Sequence, residues 1–334
     1  MDKDKLLDFN IKMSPVRVEF ELTEQCNLSC RFCYNSQNPL ISHRVFEIID
    51  KLAQSGVMEI ILTGGEPMLH PQINTVVKKC CDTFSKTMVQ TNGTSITKDT
   101  VNLFKECGVF GANISLHGPS YIHDQLTCVS GSYDLAFSAL KLLLENGIRV
   151  ASNFVLTNKN ISCLGDFIGF LYENGMREIT LTRFTPTGIG RDNAHLALSH
   201  EQLISALSLA KQKINQYPNL KIIMANAVPY CALPDDLKLF CEYCHFGTSR
   251  FYIDINGNVL MCGMSRINIG NILDTSFTEI KRNSNIFKEH VLSVDVPDEC
   301  SICRHFAECR GGCRAAALAY SNNIKGADPY TIFK

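Results

Sequence analysis

EQCNLSCRFCYN, residues 24–35, decides the reading of this 334-residue chain. It holds Cys26, Cys30 and Cys33 in the spacing C-x3-C-x2-C. It follows directly on VRVEFEL (16–22), a period-two run rich in β-branched residues that reads as a strand. A structural metal site closes its tetrahedron with four protein ligands, and this stretch offers three. A zinc module fits such a trio poorly. An iron–sulfur cluster with one iron left free of protein fits better, and an open coordination position is where a metal centre does chemistry.

Working outward, strand and helix patterns alternate. MEIILT (58–63), TMVQT (87–91), GANISL (111–116), IRVASNFVL (148–156), EITLTRF (178–184) and KIIMAN (221–226) read as strands. SHRVFEIIDKLAQSG (42–56), PQINTVVKKCCDTF (71–84), TKDTVNLFKECG (97–108), residues 133–146, residues 161–174 and SHEQLISALSLAKQKINQY (199–217) read as helices. Ser42 is the expected N-cap of the first, Gly56 its C-cap, and Pro71 opens the second. Strict alternation predicts a parallel sheet with helices outside. Six such units predict an α/β fold, a partial (β/α)6 TIM-like barrel, with functional groups at the C-terminal strand ends. The pattern breaks near residue 228. Two domains are expected, a barrel over 1–227 and a small Cys-rich domain over 228–334.

Composition narrows the function. Apolar residues make up 45% of the chain, enough for a large core, and the formal net charge is -1. No basic patch or motif for nucleic acid is present. The charged start, MDKDKLLDFNIKM, is not a signal peptide, and no apolar run is long enough to span a membrane. Sixteen cysteines without an export signal point to metal or catalysis in a cytoplasmic, reducing or anaerobic setting. Eight of them lie at or beyond Cys231.

The trio, with aromatic Phe32 before its last cysteine, resembles the signature of the radical S-adenosylmethionine (SAM) enzymes. The resemblance implies a [4Fe–4S] cluster on Cys26, Cys30 and Cys33 whose free iron chelates SAM. It implies electron transfer that splits the S–C5′ bond, and a 5′-deoxyadenosyl radical that takes a substrate hydrogen. TGGEP (63–67) after the second strand strengthens the likeness. In the family this loop meets the SAM amino group, with Gly64 and Gly65 giving close backbone approach, Glu66 a carboxylate for the ammonium, and Pro67 closing the turn. Asn92 in QTNGT and Ser115 in ISLHG end the next two strands, and Ser115 matches a ribose contact. Asn153 and Arg183 are further candidates for the ribose and carboxylate of SAM. In HGPSYIHDQL (117–126), His123 and Asp124 are read either as substrate-orienting groups or as a capped helix start.

The C-terminal cysteines are similar to the SPASM extension of the same family, which carries auxiliary [4Fe–4S] clusters. Cys244 is followed by twelve residues, Gly257, four residues and Cys262, and then by Cys300-x2-Cys303-x5-Cys309-x3-Cys313. The resemblance implies one auxiliary cluster on Cys244, Cys262 and Cys313 plus an upstream thiol, Cys241 or alternatively Cys231. A second would take Cys300, Cys303 and Cys309. Its fourth family ligand is a Cys shortly behind the C-x3-C pair, and this chain has Thr331 there, in ADPYTIFK. Asp328 as an oxygen ligand, an open site, or no second cluster are the options, so one or two auxiliary clusters are expected. Cys80, Cys81, Cys107, Cys128 and Cys163 lack metal spacing and read as structural thiols.

Members with this extension mostly modify peptides or proteins, so the leading expectation is oxidative modification of a peptide substrate. An electron donor such as flavodoxin or ferredoxin is implied. Formylglycine-forming members place a base Asp directly after the Cys of the G-x4-C element, and Gly263 stands there in this chain. The first strand begins by residue 16, so leader recognition is expected to need a separate protein or another surface. The second expectation is haem or other cofactor synthesis on a carboxylated small molecule. The segment TRFTPTGIGRDNAHLALSHEQL (182–203), with Arg191, resembles that branch. A third class, a non-catalytic iron–sulfur carrier, has no use for TGGEP.

Overall fold

The computed structural model describes residues 2–333. Seven parallel strands form its frame: β1 (Arg17–Thr23), β2 (Glu59–Gly64), β3 (Lys86–Thr91), β4 (Gly111–Ser115), β5 (Val150–Leu156), β6 (Glu178–Arg183) and β7 (Lys221–Met224). They pair in sequence order, each with the next. Helices α1 (Lys3–Lys12), α2 (Val45–Gln54), α3 (Ile73–Thr83), α4 (Lys98–Cys107), α5 (Ser120–Thr127), α6 (Ser132–Glu145), α7 (Leu164–Glu173) and α8 (His200–Gln216) precede or link them. The architecture is the TIM-like partial barrel. It stays open, because β1 and β7 do not meet.

Side-chain period builds the layers. Val18, Phe20 and Leu22 of β1 are fully buried, and so are Ile60 and Leu62 of β2. Val45, Ile48, Ile49 and Leu52 put an i, i+3, i+4, i+7 stripe of α2 into the same core. Two helix starts differ from expectation. Ser42 does not cap α2, because its N–H is paired with the Leu22 carbonyl and Arg44 takes the cap position. Pro71 likewise lies just outside α3, which Gln72 precedes.

The Cys-rich region enters the same sheet. Strand β8 (Arg250–Ile253) runs parallel to β1 on its free edge, and β9 (Asn258–Leu260) and β10 (Asn268–Asn271) follow antiparallel. The ten-stranded sheet therefore crosses residue 228 without a break. Behind it, helix α9 (Phe277–Asn283) sends buried Lys281 to the end of α1, where its ammonium donates to the carbonyls of Asn10 (2.8 Å) and Met13. Burial lowers the Lys281 pKa to about 8.

Candidate active site

The strands' C-terminal ends surround a cleft of about 1350 Å³. Cys26, Cys30 and Cys33 stand in its wall, on the loop that leaves β1. Backbone bonds dock that loop: Ser29 and Arg31 N–H donate to the Thr127 and Leu126 carbonyls of α5. From the other side, the N–H of Gly190 donates to the Cys33 carbonyl (2.8 Å). Buried Glu21 accepts from the Asn35 amide (2.6 Å) and pairs with Arg266 (3.1 Å) from the Cys-rich region. The N–H groups of Leu28 and Asn35 point at the sulfurs of Cys26 and Cys33, both at 3.4 Å. Burial raises all three thiol pKa values, that of Cys33 to about 11. Such thiols become thiolates on binding a cation.

The glycine loop lies beside them. Gly64 has φ +146°, and a Cβ there would come within 2.2 Å of the Thr23 carbonyl oxygen; at Gly65 the Gln25 oxygen would be 2.3 Å away. These glycines let the β2 loop lie against the cysteine loop. Glu66 has a different place from the one expected. Its side chain is fully buried outside the cleft wall, accepting from Thr91 Oγ1 (2.6 Å), Asn92 N (2.7 Å) and Met68 N (3.1 Å). Burial raises its pKa to about 7 against these bonds. It joins the ends of β2 and β3. Pro67 is also buried outside the wall.

Phe32, Gly64, Gly65, Asn92, Ser115, Asn153 and Arg183 do share the wall with the trio. Asn92 donates to Cys26 Sγ at 3.8 Å, and Asn153 accepts from Thr182 Oγ1 at 2.7 Å. Arg183 is already spoken for. Nη1 donates to Asp328 Oδ1 (2.9 Å) and Nη2 to Oδ2, with both side chains buried. Asp328 also accepts from the N–H groups of Cys313 (2.8 Å) and Tyr330 (3.1 Å). Its oxygens are thus engaged, and it does not line the cavity beside Cys300, Cys303 and Cys309, which corrects the oxygen-ligand option. Arg191 is exposed and lies outside the cleft wall.

Two histidines complete the wall. His117 and His123 stack at 5.4 Å, and Phe32 meets His117 edge-on at 4.6 Å. Burial lowers both pKa values, that of His123 to about 4, so both rings are neutral near pH 7. His123 Nδ1 accepts the His117 backbone N–H, which leaves the proton on Nε2, a buried donor with no protein partner. Asp124 instead accepts from Gly131 N, Ser132 Oγ and Tyr133 N at the start of α6, a cap and not a cleft group. His117 was missed in the sequence reading, although it stands two residues past Ser115 at the same strand end. Arg266 left no signal at all.

The other cysteines form two groups. Cys244, Cys262 and Cys313 line a small cavity, and Cys262 also reaches the main cleft. Cys241 is not in that wall. Its thiol points to the carbonyls of Val228 (3.4 Å) and Glu308 (3.8 Å). Cys300, Cys303 and Cys309 line a separate small cavity together with Cys231. Among the described residues, no three His, Cys, Asp or Glu groups converge on a single-ion site.

Comparison with known families settles the class. The Radical SAM superfamily model matches residues 20–171, and the SPASM iron–sulfur cluster-binding domain matches residues 244–310. The chain is a radical SAM protein with a C-terminal SPASM domain. A [4Fe–4S] cluster, SAM and auxiliary iron–sulfur clusters are the cofactors of these domains. The donor set here fits them, with three thiols and a glycine-lined cleft in one place and two further thiol groups behind. The AdoMet-dependent heme synthase of Oleidesulfovibrio alaskensis is 24% identical over 95% of this chain and 87% of its own length. Mycofactocin maturase MftC of Mycobacterium tuberculosis is 26% identical over 96% and 83%. Streptococcus suis SuiB bound to S-adenosylmethionine shares the fold at TM-score 0.76, with 18% identity over 95% of this chain and 77% of that one. No described helix is long and apolar enough to cross a membrane.

Proposed function

We propose that this radical SAM protein is an enzyme that oxidatively modifies a peptide. When bound, the cluster with SAM supplies a 5′-deoxyadenosyl radical that takes a hydrogen atom from the substrate. Cys26, Cys30 and Cys33 hold the cluster. Phe32, Gly64, Gly65, Asn92, Ser115 and Asn153 bound the SAM site, and Glu66, Pro67 and Arg183 position these walls. An external donor of the flavodoxin or ferredoxin kind feeds electrons in.

One observation carries the peptide reading. Among the described residues, Glu19 and Arg183 are the only Asp, Glu, Lys or Arg side chains in the cleft wall, and Arg183 is bound to Asp328. A substrate with several carboxylates finds no unpaired cation among the described wall residues, since Arg183 keeps only Nε without a partner. Gln37, Gln90, Thr182 and Thr185 offer uncharged partners suited to peptide amides. Gly263 supports the exclusion of a base Asp at that position, since a Cβ there would meet the buried Tyr252 ring at 2.8 Å. SuiB has been solved with its precursor peptide SuiA, and MftC is named a maturase.

The second reading, tetrapyrrole or cofactor synthesis, draws on the nearly full-length likeness to the heme synthases. The test is 5′-deoxyadenosine formation by the anaerobically reconstituted, reduced protein. Peptides encoded beside the gene should stimulate it, and a carboxylated tetrapyrrole should not.

A further inference from the structure

The SPASM resemblance implies a fourth thiol close behind Cys313, and this chain has Thr331 about there. The fold brings another cysteine to the gap. Cys231, 69 residues before Cys300 in sequence, lines the same cavity as the three. The Ile332 N–H, directly after Thr331, points at Cys231 Sγ at 3.4 Å. The two positions thus lie side by side in the cavity wall. A ring stack fixes the approach: Tyr230 lies on His305 at 4.1 Å and 16°, which clamps the segment carrying Cys231 onto the loop between Cys303 and Cys309.

We propose that Cys231 is the fourth thiolate of the Cys300, Cys303 and Cys309 site, standing in for the cysteine missing at 331. The rival groups are placed less well. Cys241 is outside this cavity wall and turned to two carbonyls. Asp328 is held by Arg183 and two backbone N–H groups. The Thr331 hydroxyl is buried without a partner in the same wall, but a hard neutral oxygen is a poorer ligand for a cluster iron than a thiolate. The consequence is a chain whose second auxiliary site is complete by a different route from the family's. The inference rests on SPASM membership and not on the peptide reading.

The test needs no turnover. The full chain with Cys26→Ala, Cys30→Ala and Cys33→Ala is reconstituted anaerobically, so that only auxiliary clusters remain. Iron is counted and low-temperature paramagnetic resonance recorded on the reduced protein. In this background Cys231→Ala should lose between about one and about four irons per chain and change one signal. Adding Thr331→Cys should restore both count and signal, a rescue that a purely structural cysteine would not show. Cys231→Ser, close in volume, should shift the g values even where the count holds. Cys241→Ala and Thr331→Val should leave count and spectrum as they were. Unchanged iron and spectra in both Cys231 variants, or the loss arising in Cys241→Ala or Thr331→Val instead, would overturn the assignment.

Discussion

Arg183 and Asp328 form a two-pronged ion pair that is almost wholly buried, with side-chain exposures of 1% and 0%. It joins the end of β6 to the last segment of the chain, 145 residues away, and through Asp328 to the backbone of Cys313. Removing one partner strands a buried charge. Arg183→Met or Asp328→Ala should each destabilise the protein by about 3–5 kcal/mol. Replacing both together with apolar residues should cost less than the sum of the two. Denaturant unfolding of the three variants measures this, and strictly additive losses would contradict the pairing.

The carboxylate of Glu66 gives a pH signature. Its pKa is raised from 4.5 to about 7 by burial, so the native state holds a proton that the unfolded chain releases. Stability then falls as pH rises from about 4.5 to about 7. Glu66→Gln removes this dependence, while leaving the Asn92 N–H opposite an amide N–H. Unfolding midpoints of the metal-free chain at pH 5 and pH 7.5 should lie closer together in Glu66→Gln than in the wild type.

The close approach of Gly64 to Thr23 sets the distance between the glycine loop and the cysteine loop. Gly64→Ala puts a methyl 2.2 Å from a backbone oxygen at φ +146°. It should cost about 1–3 kcal/mol. The misplaced loop should also cut SAM cleavage by up to about 10²-fold. Product assays and thermal unfolding on one preparation check both.

Much of this was legible in the sequence because period and spacing are local. The alternation from VRVEFEL to KIIMAN encoded the parallel frame. The trio and TGGEP encoded the cleft, since each motif sits at a strand end. What was not legible depends on distance along the chain. RFYI is too short to announce that β8 joins β1, so the sheet's continuation past residue 228 was hidden. The family resemblance gives Glu66 a ligand to face, but spacing gives a side chain no direction; in the fold its carboxylate meets three buried donors. Arg183 was read the same way, and its partner lies too far off in sequence to be guessed. Order along the chain assigns Cys231 to the other cysteine group, and only the fold brings it to the cavity of Cys300, Cys303 and Cys309.

The thiol trio gives a further expectation. Cys26→Ala, Cys30→Ala and Cys33→Ala together should abolish 5′-deoxyadenosine formation while the auxiliary clusters still bind. Product with normal yield from this variant would remove the trio from the chemistry. Raising pH from about 7 to about 9 should speed reconstitution of the wild type, because burial keeps these thiols protonated and iron must displace the protons.

The most direct measurement is the 5′-deoxyadenosine released by reconstituted, reduced protein with SAM, with and without peptides encoded beside its gene, paired with the mass of each peptide afterwards. The account predicts stimulated release and a peptide altered in mass by the loss of hydrogen or of a small fragment. Release stimulated by a carboxylated tetrapyrrole, with every peptide left unchanged, would contradict it.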